Sequence, residues 1–432
     1  MKKLALIVTL LVFGTSIASA QTTGDAKAKS GSVYSQVGIG YPLGIGNSAA
    51  QSMGLLGVSF NETFVGTIAN PAHWGNTVYG LGVGEIGVNS YNATDATGSV
   101  TNSNFSVGQF QLQLPIIRGE LGVSGSFTPI TESKFRIYEE QTRVIGDSFQ
   151  GETLDFSIEN RGSGGLNRAE LGLGWRINSN ISVGYATSLY FLSMDDSYVA
   201  RFPQSPYRNA NFTIETSGHS FGHRLGTFIR LPNVLKEDDQ LGIGATVDLP
   251  VELNAERKQT GTVDNGALSL TKDLQNGEGP IKLPMKVSGG VSYSPSNLLM
   301  IGLEGLYEGW SGYENDFNPS EDQLFVDRYK VGLGMQYFPY VTGSNKFLSS
   351  FKYRAGASYD TGHLDINGHR INTLKFAFGI GIRSPRSNSS IDLSFEYGIR
   401  GTETSSLAQE NIWGVRLTLN LAELMFFRPK LQ

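Results

Sequence analysis

The chain has 432 residues, 39% of them hydrophobic, with a formal net charge of -5 at pH 7 and no cysteine. Acidic and basic residues are spread along the sequence, so no concentrated basic surface is available for nucleic acid. The absence of cysteine excludes a disulfide-stapled scaffold, and no stretch reaches the ~20 consecutive apolar residues of a membrane-spanning helix.

The first twenty residues have the pattern of a secretory signal peptide. Lys2 and Lys3 precede the apolar run Leu4–Phe13, and the small residues Ala18-Ser19-Ala20 form a cleavage signal. We therefore expect residues 1–20 to be removed and the mature chain to begin near Gln21. An exported chain without disulfides favours a large, closed, hydrogen-bonded structure.

Residues 21–75 do not alternate between apolar and polar side chains. Glycines recur through this stretch, among them Gly54 and Gly57, and it ends in Asn70-Pro71-Ala72-His73-Trp74. We expect a compact hatch, or plug, inside a barrel, because a barrel much wider than eight strands leaves a passage unless something fills it. Asn70 would bond to exposed strand backbone and Pro71 would set the chain direction; the alternative is a plain proline turn.

Residues 76–432 alternate with period two, which predicts an all-β, transmembrane, antiparallel β-barrel of about 14 strands. In residues 391–400, for example, every charge lies on one face and every large apolar group on the other. The predicted strands lie near 77–90, 103–116, 118–128, 167–178, 180–194, 212–231, 239–252, 281–294, 298–311, 324–338, 347–360, 370–383, 389–401 and 410–422.

The connections alternate between short turns and long polar loops, as they do in barrels of the bacterial outer membrane. The long loops are predicted at 129–166, 195–211, 253–280 and 312–323.

Strand-end aromatic residues are candidates for the interfacial girdles, although aromatic residues also suit strands in general. These residues are Trp175, Tyr293, Tyr337 and Trp413. The predicted location is therefore the bacterial outer membrane.

The second and third predicted strands contain a break in pattern. Phe105 and Val107 lie at odd-numbered positions of the apolar alternation, whereas Phe110 lies at an even-numbered one, with Gly108-Gln109 between them. This change of phase predicts a β-bulge. The third strand is laced with glycine, including Gly122 and Gly125, and ends at Pro129. We expect any sideways opening of the wall near Gly108, Gly122 and Gly125.

Charged residues on the lumen-facing phase of the later strands form a candidate network. Two readings are open: pairing across strands, which would stiffen the wall and anchor the hatch, or selection of permeant ions. The residues are Glu304, Lys330, Arg354, Lys375, Arg383, Asp392, Glu396, Arg400 and Arg416.

Signals for chemistry are weak. His219 and His223 are four residues apart, which on a strand separates them by about 13 Å and disfavours a shared metal ion. A lipase reading from Ser217 or His219-Ser220 lacks a group to orient the base, and the acidic pair Asp195-Asp196 is typical of a solvated loop. We therefore expect no enzyme activity, no metal site and no cofactor.

The sequence resembles the long-chain fatty acid transporter family of outer-membrane proteins (FadL/TodX-like). The resemblance rests on the small, glycine-containing run Ser52–Val58, on Asn70-Pro71-Ala72 before the first strand, and on the ending Asn420–Lys430. It implies an N-terminal hatch, a fourteen-stranded barrel, and a monomer in outer-membrane lipid. It also implies passive uptake of hydrophobic small molecules, such as fatty acids or hydrocarbons, with lateral release beside a kinked third strand.

One departure from the family bears on the mode of capture and on specificity for fatty acids. Residues 129–166 and 195–211 carry no strongly apolar helical pair, where the family's capture groove would be expected. The alternative to a transporter is a general porin or a structural outer-membrane barrel, and a third class is a secreted, soluble β-protein.

Overall fold

A computed structural model describes most of the chain: residues 31–44, 46–60, 62–96, 98–145, 152–203, 207–264, 269–274, 276–339, 347–384, 387–404 and 407–424. The predicted signal peptide and the last residues of the predicted tail lie outside these ranges. No helix in the described part of the chain is long and apolar enough to cross a membrane.

Fourteen antiparallel strands form a closed barrel, which confirms the predicted fold and strand count. The first strand pairs with both the second and the last, so the wall closes. The strands are β1 Gly80–Thr94, β2 Ser99–Ile117, β3 Leu121–Pro129 with Phe135–Ile145, β4 Glu152–Arg176, β5 Ile181–Arg201, β6 Ala210–Pro232, β7 Gln240–Asp248 with Val251–Asp264, β8 Gly277–Leu283 with Lys286–Ser296, β9 Leu299–Glu308, β10 Arg328–Tyr337, β11 Phe351–Asp360, β12 Thr373–Arg383, β13 Ser390–Arg400 and β14 Gln409–Glu423.

The alternation of the sequence explains which face of each strand points outward. On β10, Val331, Leu333 and Met335 are exposed on the outer surface, whereas the intervening positions Gly332 and Gly334 face the lumen. Leu333 is 58% exposed. A ring of such side chains is costly in water and favourable in lipid.

The polar stretches predicted as long loops are partly extended hairpins. β4 and β5 stay paired from Arg176↔Ser182 to Ser157↔Arg201, and β5 and β6 continue to Ala200↔Ala210. Pairing satisfies the backbone hydrogen bonds of these strands beyond the apolar band. The sequence does not mark this part clearly, because the apolar alternation there is short, as at Leu154, Phe156 and Ile158, and the glycine-rich stretch 162–165 separates it from the alternation in the rest of β4.

The N-terminal segment, residues 31–44, 46–60 and 62–79, lies inside the barrel. It contains one short helix, α1 Ser48–Gln51, and a 3₁₀ turn at Pro71–Asn76. Met53, Ile68 and Trp74 are fully buried. Lumen-facing glycines permit very close approach of this segment: a Cβ added to Gly244 would lie 1.8 Å from the carbonyl oxygen of Val58.

The N-terminal segment runs the length of the lumen. At the long-hairpin end, Tyr34 and Ile39 belong to an apolar core that includes Trp310, Tyr313 and Phe325. At the short-turn end, the turn Pro71–Asn76 packs against β3, β4, β5 and β6. The described part of this segment therefore occupies both ends of the lumen.

Candidate functional site

The Asn70 side chain forms hydrogen bonds both within the N-terminal segment and to the barrel wall. Its side-chain oxygen accepts from the Ala72 N–H at 3.0 Å, which caps the following turn. Its amide nitrogen donates to the carbonyl oxygens of Val58 at 3.0 Å and of Thr227 on β6 at 2.9 Å. Pro71 begins the turn and Ala72 is fully buried. Both polar atoms of this amide are thus hydrogen-bonded within the lumen.

Gly54 and Gly57 have backbone conformations that favour glycine, with φ of 67° and 90°. They lie in a stretch of turns and bends whose N–H groups converge on Glu304 of β9. The Glu304 carboxylate accepts from the N–H groups of Leu56, Gly57 and Ser59, each at 2.7 Å, and from the Ser59 hydroxyl at 2.6 Å. This buried carboxylate therefore anchors the N-terminal segment with four hydrogen bonds.

The other predicted lumen charges are brought together in the later strands. Arg354 pairs with Asp392 at 2.6 Å, Lys375 with Glu396 at 3.0 Å, and Glu396 with Arg416 at 3.5 Å. Arg400 pairs with Glu410 at 3.2 Å and lies over the ring of Tyr41, Arg383 lies over the ring of Phe64, and Lys330 is opposite Asp360 across β10 and β11.

Several anchoring residues were not anticipated from the sequence. Glu62 of the N-terminal segment pairs with Arg354 at 3.2 Å and with Lys352. Glu85 of β1 accepts from Ser48 at 3.3 Å. The lumen phase of β1 is a signal that would have found Glu85, whereas nothing in the local pattern marks Glu62.

The long-hairpin end holds the start of the segment through two carboxylates. Glu410 of β14 accepts from the Ser32 hydroxyl and from the Val33 N–H, each at 2.8 Å. Glu321, between β9 and β10, accepts from the Gly38 N–H at 3.1 Å, and burial raises the pKa of this carboxyl above its usual value.

A second group of charges fills the lumen between β4, β6 and β7. Arg224 donates to Asp248 at 2.7 Å and to the carbonyl oxygen of Ile68 at 2.7 Å. Arg168 lies 3.3 Å from Asp248 and 3.8 Å from Glu170. Alternation places these residues on the lumen-facing phase of their strands, but their separation in sequence conceals that they meet.

The wall is interrupted between β2 and β3. The first part of β3 pairs with β2 only from Phe110↔Phe127 to Ile117↔Leu121, and Phe135–Ile145 pairs with β4 alone. Among the described residues, Ser99–Gln109 of β2 therefore has strand pairing only with β1. In between, the chain turns inward, where Thr131–Glu132 pairs with Tyr41–Pro42.

The predicted bulge is present at the lower margin of this interruption. Gly84 pairs with Phe110 and Ile86 with Val107, so Gly108 and Gln109 together face Glu85. By contrast, Gly122 and Gly125 lie in the fully paired part of β3. The structure thus places Gly108 at the interruption and the other two glycines below it.

Polar side chains without partners mark the same margin. Gln109 is 2% exposed, and neither of its amide atoms has a hydrogen-bond partner; the hydroxyl groups of buried Thr128 and Ser133 also have none. Above them, Asn104 donates to Glu132 at 2.7 Å across the interruption. Buried polar groups are nearly always satisfied, so this cluster is unusual.

A cavity of about 70 Å³ lies behind the break in β3. Its apolar lining includes Ile39, Ile130 and Leu166, and its polar lining includes Arg168 and Asp248. Ile130 belongs to the inward-turning stretch between the two parts of β3. One short stretch of chain therefore borders both the cavity and the interrupted wall.

The histidines do not form a common site. His219 and His223 lie on β6, where the His223 ring accepts from or donates to the Tyr185 hydroxyl at 2.8 Å. His73 and His363 are fully buried, and His369 lies in a short exposed hairpin. Within the described ranges, no group of three or more histidine and acidic residues is arranged to hold a metal ion.

A family model described as BamG matches residues 1–432. The chain belongs to the BamG family. No curated protein matches the sequence.

Solved structures with the same fold include a channel, a transporter and a FadL homologue. The CymD monoaromatic hydrocarbon channel is 15% identical, with 88% of this chain and 97% of that chain covered and a TM-score of 0.53. The toluene transporter TbuX of Ralstonia pickettii is 13% identical, with 88% and 99% covered and a TM-score of 0.56. A FadL homologue of Pseudomonas aeruginosa is 13% identical, with 89% and 99% covered and a TM-score of 0.57.

This likeness shows that the BamG-family chain has the FadL/TodX-like fold, which confirms the resemblance inferred from the sequence. The first two of these structures are described as a channel and a transporter, and not as enzymes. At 13 to 15% identity the likeness shows the fold alone.

Proposed function

We propose that this chain is a monomeric transporter of the bacterial outer membrane that takes up hydrophobic small molecules by passive diffusion, without a cofactor. The observation that carries the proposal is the shared border of the cavity and the interrupted wall at Ile130. A gap beside an apolar-lined cavity lets a solute pass from protein to lipid without crossing water. The solved structures described as toluene and hydrocarbon channels support the same class of cargo.

In this mechanism the N-terminal segment acts as the hatch and the interruption between β2 and β3 as the site of lateral release. The cavity of about 70 Å³ is smaller than the ~150 Å³ of an engineered cavity that binds benzene. Cargo therefore passes only when the hatch shifts locally. The small volume of the cavity favours small apolar molecules as cargo. Long-chain fatty acids are the second candidate cargo.

The test measures the rate at which the apolar dye 1-N-phenylnaphthylamine reaches the bilayer of proteoliposomes coated with lipopolysaccharide. The unmodified protein should accelerate the fluorescence rise, and Ile130→Glu, which puts a charge at the shared border, should reduce that acceleration at least tenfold. Val263→Glu, on an exposed hairpin, is the matched control. A dansyl-labelled fatty acid added in the same assay compares the second cargo.

A structural barrel is the second candidate, and the anchoring of the N-terminal segment by Glu304 favours it, because four hydrogen bonds oppose movement of the hatch. A structural barrel predicts no acceleration of dye and no binding of fatty acid. A general porin predicts instead a steady ionic current in planar bilayers. Either result would overturn the transporter proposal.

A further inference from the structure

A second weak point of the wall lies between β7 and β8, away from the interruption at β3. Asp248 pairs with Lys286 and Val251 with Leu283, in a single register. The two residue pairs between them, Leu249 with Met285 and Pro250 with Pro284, are opposite each other but outside the ladder. We call these four residues the proline seam.

The prolines explain why hydrogen bonding stops at the seam. Proline has no backbone N–H, and within sheets it is confined to edges and irregular positions. Pro250 and Pro284 face each other, so neither strand donates from these positions. Leu249 and Met285 instead bond outward, to the carbonyl oxygen of His223 and to the N–H of Gly309, at 3.0 and 3.1 Å.

The neighbouring strands are irregular at the same level. Arg224↔Asp248 is the last pair of β6 with the first part of β7, and pairing resumes at His219↔Asn254, so residues 220–223 face residues 249–253. On the other side, β9 ends at Glu308 and a 3₁₀ turn, Trp310–Gly312, follows. The seam therefore lies in the middle of a wider region of irregular strand pairing.

Ion pairs frame the seam at its lower margin. Arg224 pairs with Asp248 at 2.7 Å, and Lys286 pairs with Glu308 at 3.4 Å. Above it, the ladder of the second part of β7 with the first part of β8 continues to Arg257↔Gly277. Opening the seam would thus leave the paired regions on both sides intact.

The cavity lies directly behind the seam. Leu249 and Pro284 line it, together with Val251, Leu283 and Trp310. Leu249 is also 41% exposed and Met285 39% exposed, and the nearby Phe221 is 68% exposed. Apolar side chains therefore run from the cavity to the outer surface across a wall one strand thick.

The geometry points to a lateral portal at the proline seam, through which small apolar molecules exchange between the cavity and the surrounding bilayer. Adjacent strands are about 4.8 Å apart, so passage requires the seam to widen, but no cross-strand hydrogen bond from either proline has to be broken. This inference rests on the proposed function and adds a second route for the same class of cargo.

The test uses Trp310, which lines the cavity, as a reporter in nanodiscs. Trp175→Phe and Trp413→Phe remove the tryptophans exposed on the outer surface, and Trp310→Phe gives the background signal. Bromobenzene is mixed in, and quenching is followed by stopped-flow fluorescence. Leu249→Cys with Met285→Cys allows a disulfide across the seam, and the chain has no other cysteine.

In the Ile130→Glu background, which blocks the route beside β3, oxidation of the seam pair should slow the quenching of Trp310 at least tenfold, and reduction should restore it. The matched control is Ile243→Cys with Val291→Cys, a paired and exposed position on the same two strands. Pro284→Val, which returns a backbone donor to the seam, should also slow quenching.

The outcomes separate the portal from the proposed function. Quenching that is unaffected by the seam disulfide and by Pro284→Val, or slowed equally by the control pair, overturns the portal alone. Absence of quenching in the reduced protein overturns the portal and the binding of apolar solute together.

Discussion

At the scale of single residues, Glu304 shows how a lumen charge works here. The sequence predicts its place on a lumen-facing strand, and the structure shows that its partners are backbone N–H groups of the N-terminal segment. Glu396, which the sequence marks equally, pairs with Lys375 and Arg416 of the wall. Alternation gives the face on which a charge lies, but its partner depends on where the non-repeating segment passes.

Glu304→Ala should loosen the N-terminal segment, because each buried donor left without a partner costs about 1–3 kcal/mol. We expect frequent open events in planar-bilayer recordings where the unmodified protein is closed, with Glu304→Gln in between because it keeps one acceptor oxygen. Glu256→Ala, half-exposed, is the control and should stay closed. Recordings of Glu304→Ala that match the unmodified protein would contradict this role.

At the scale of elements, the strands were predictable and the contacts between strands and N-terminal segment were not. The bulge at Gly108-Gln109 follows from a change of apolar phase, which is a local signal. The position of Gly122 against the carbonyl oxygen of Trp74 is a contact between residues distant in sequence, and no periodicity reveals it. The same holds for Pro250 and Pro284, which become opposed only through the register of β7 and β8.

Gly122 and Gly125 of β3 should respond differently to alanine. A Cβ at Gly122 would lie 2.0 Å from the carbonyl oxygen of Trp74, whereas the nearest atom to a Cβ at Gly125 is 3.9 Å away. Gly122→Ala should therefore displace the turn Pro71–Asn76 and lower the temperature at which the barrel loses its compact band on gel electrophoresis. Gly125→Ala should leave that temperature unchanged. Equal effects of both substitutions would argue against close packing of the turn.

At the scale of the whole molecule, closure of the barrel and exposure of its apolar band depend on the period-two pattern, which the sequence displays directly. The extended hairpins above that band are not marked by the sequence, because their apolar alternation is short and glycines separate it from the rest of the strand. The division into signal peptide, hatch and barrel stays a prediction, since residues 1–30 lie outside the described part of the chain.

Leu333→Arg tests whether lipid surrounds the band. In a membrane barrel a central arginine costs about 2–4 kcal/mol, and the cost falls toward the interfaces. We expect a loss of that size in unfolding free energy, measured by denaturant titration in lipid vesicles. Leu235→Arg, in the exposed turn between β6 and β7, should have little effect. Comparable losses at both positions would place the band outside a bilayer.

The contacts of β14 with the N-terminal segment have a consequence for assembly. Glu410, Thr418 and Asn420 bond to residues 32–66, from the opposite end of the polypeptide. These partners are 354 to 378 residues apart in the sequence, so the N-terminal segment is synthesised long before the strand that holds it. Closure of the barrel and completion of these contacts therefore both require β14, whereas the contacts with Glu85 and Glu304 use strands made earlier.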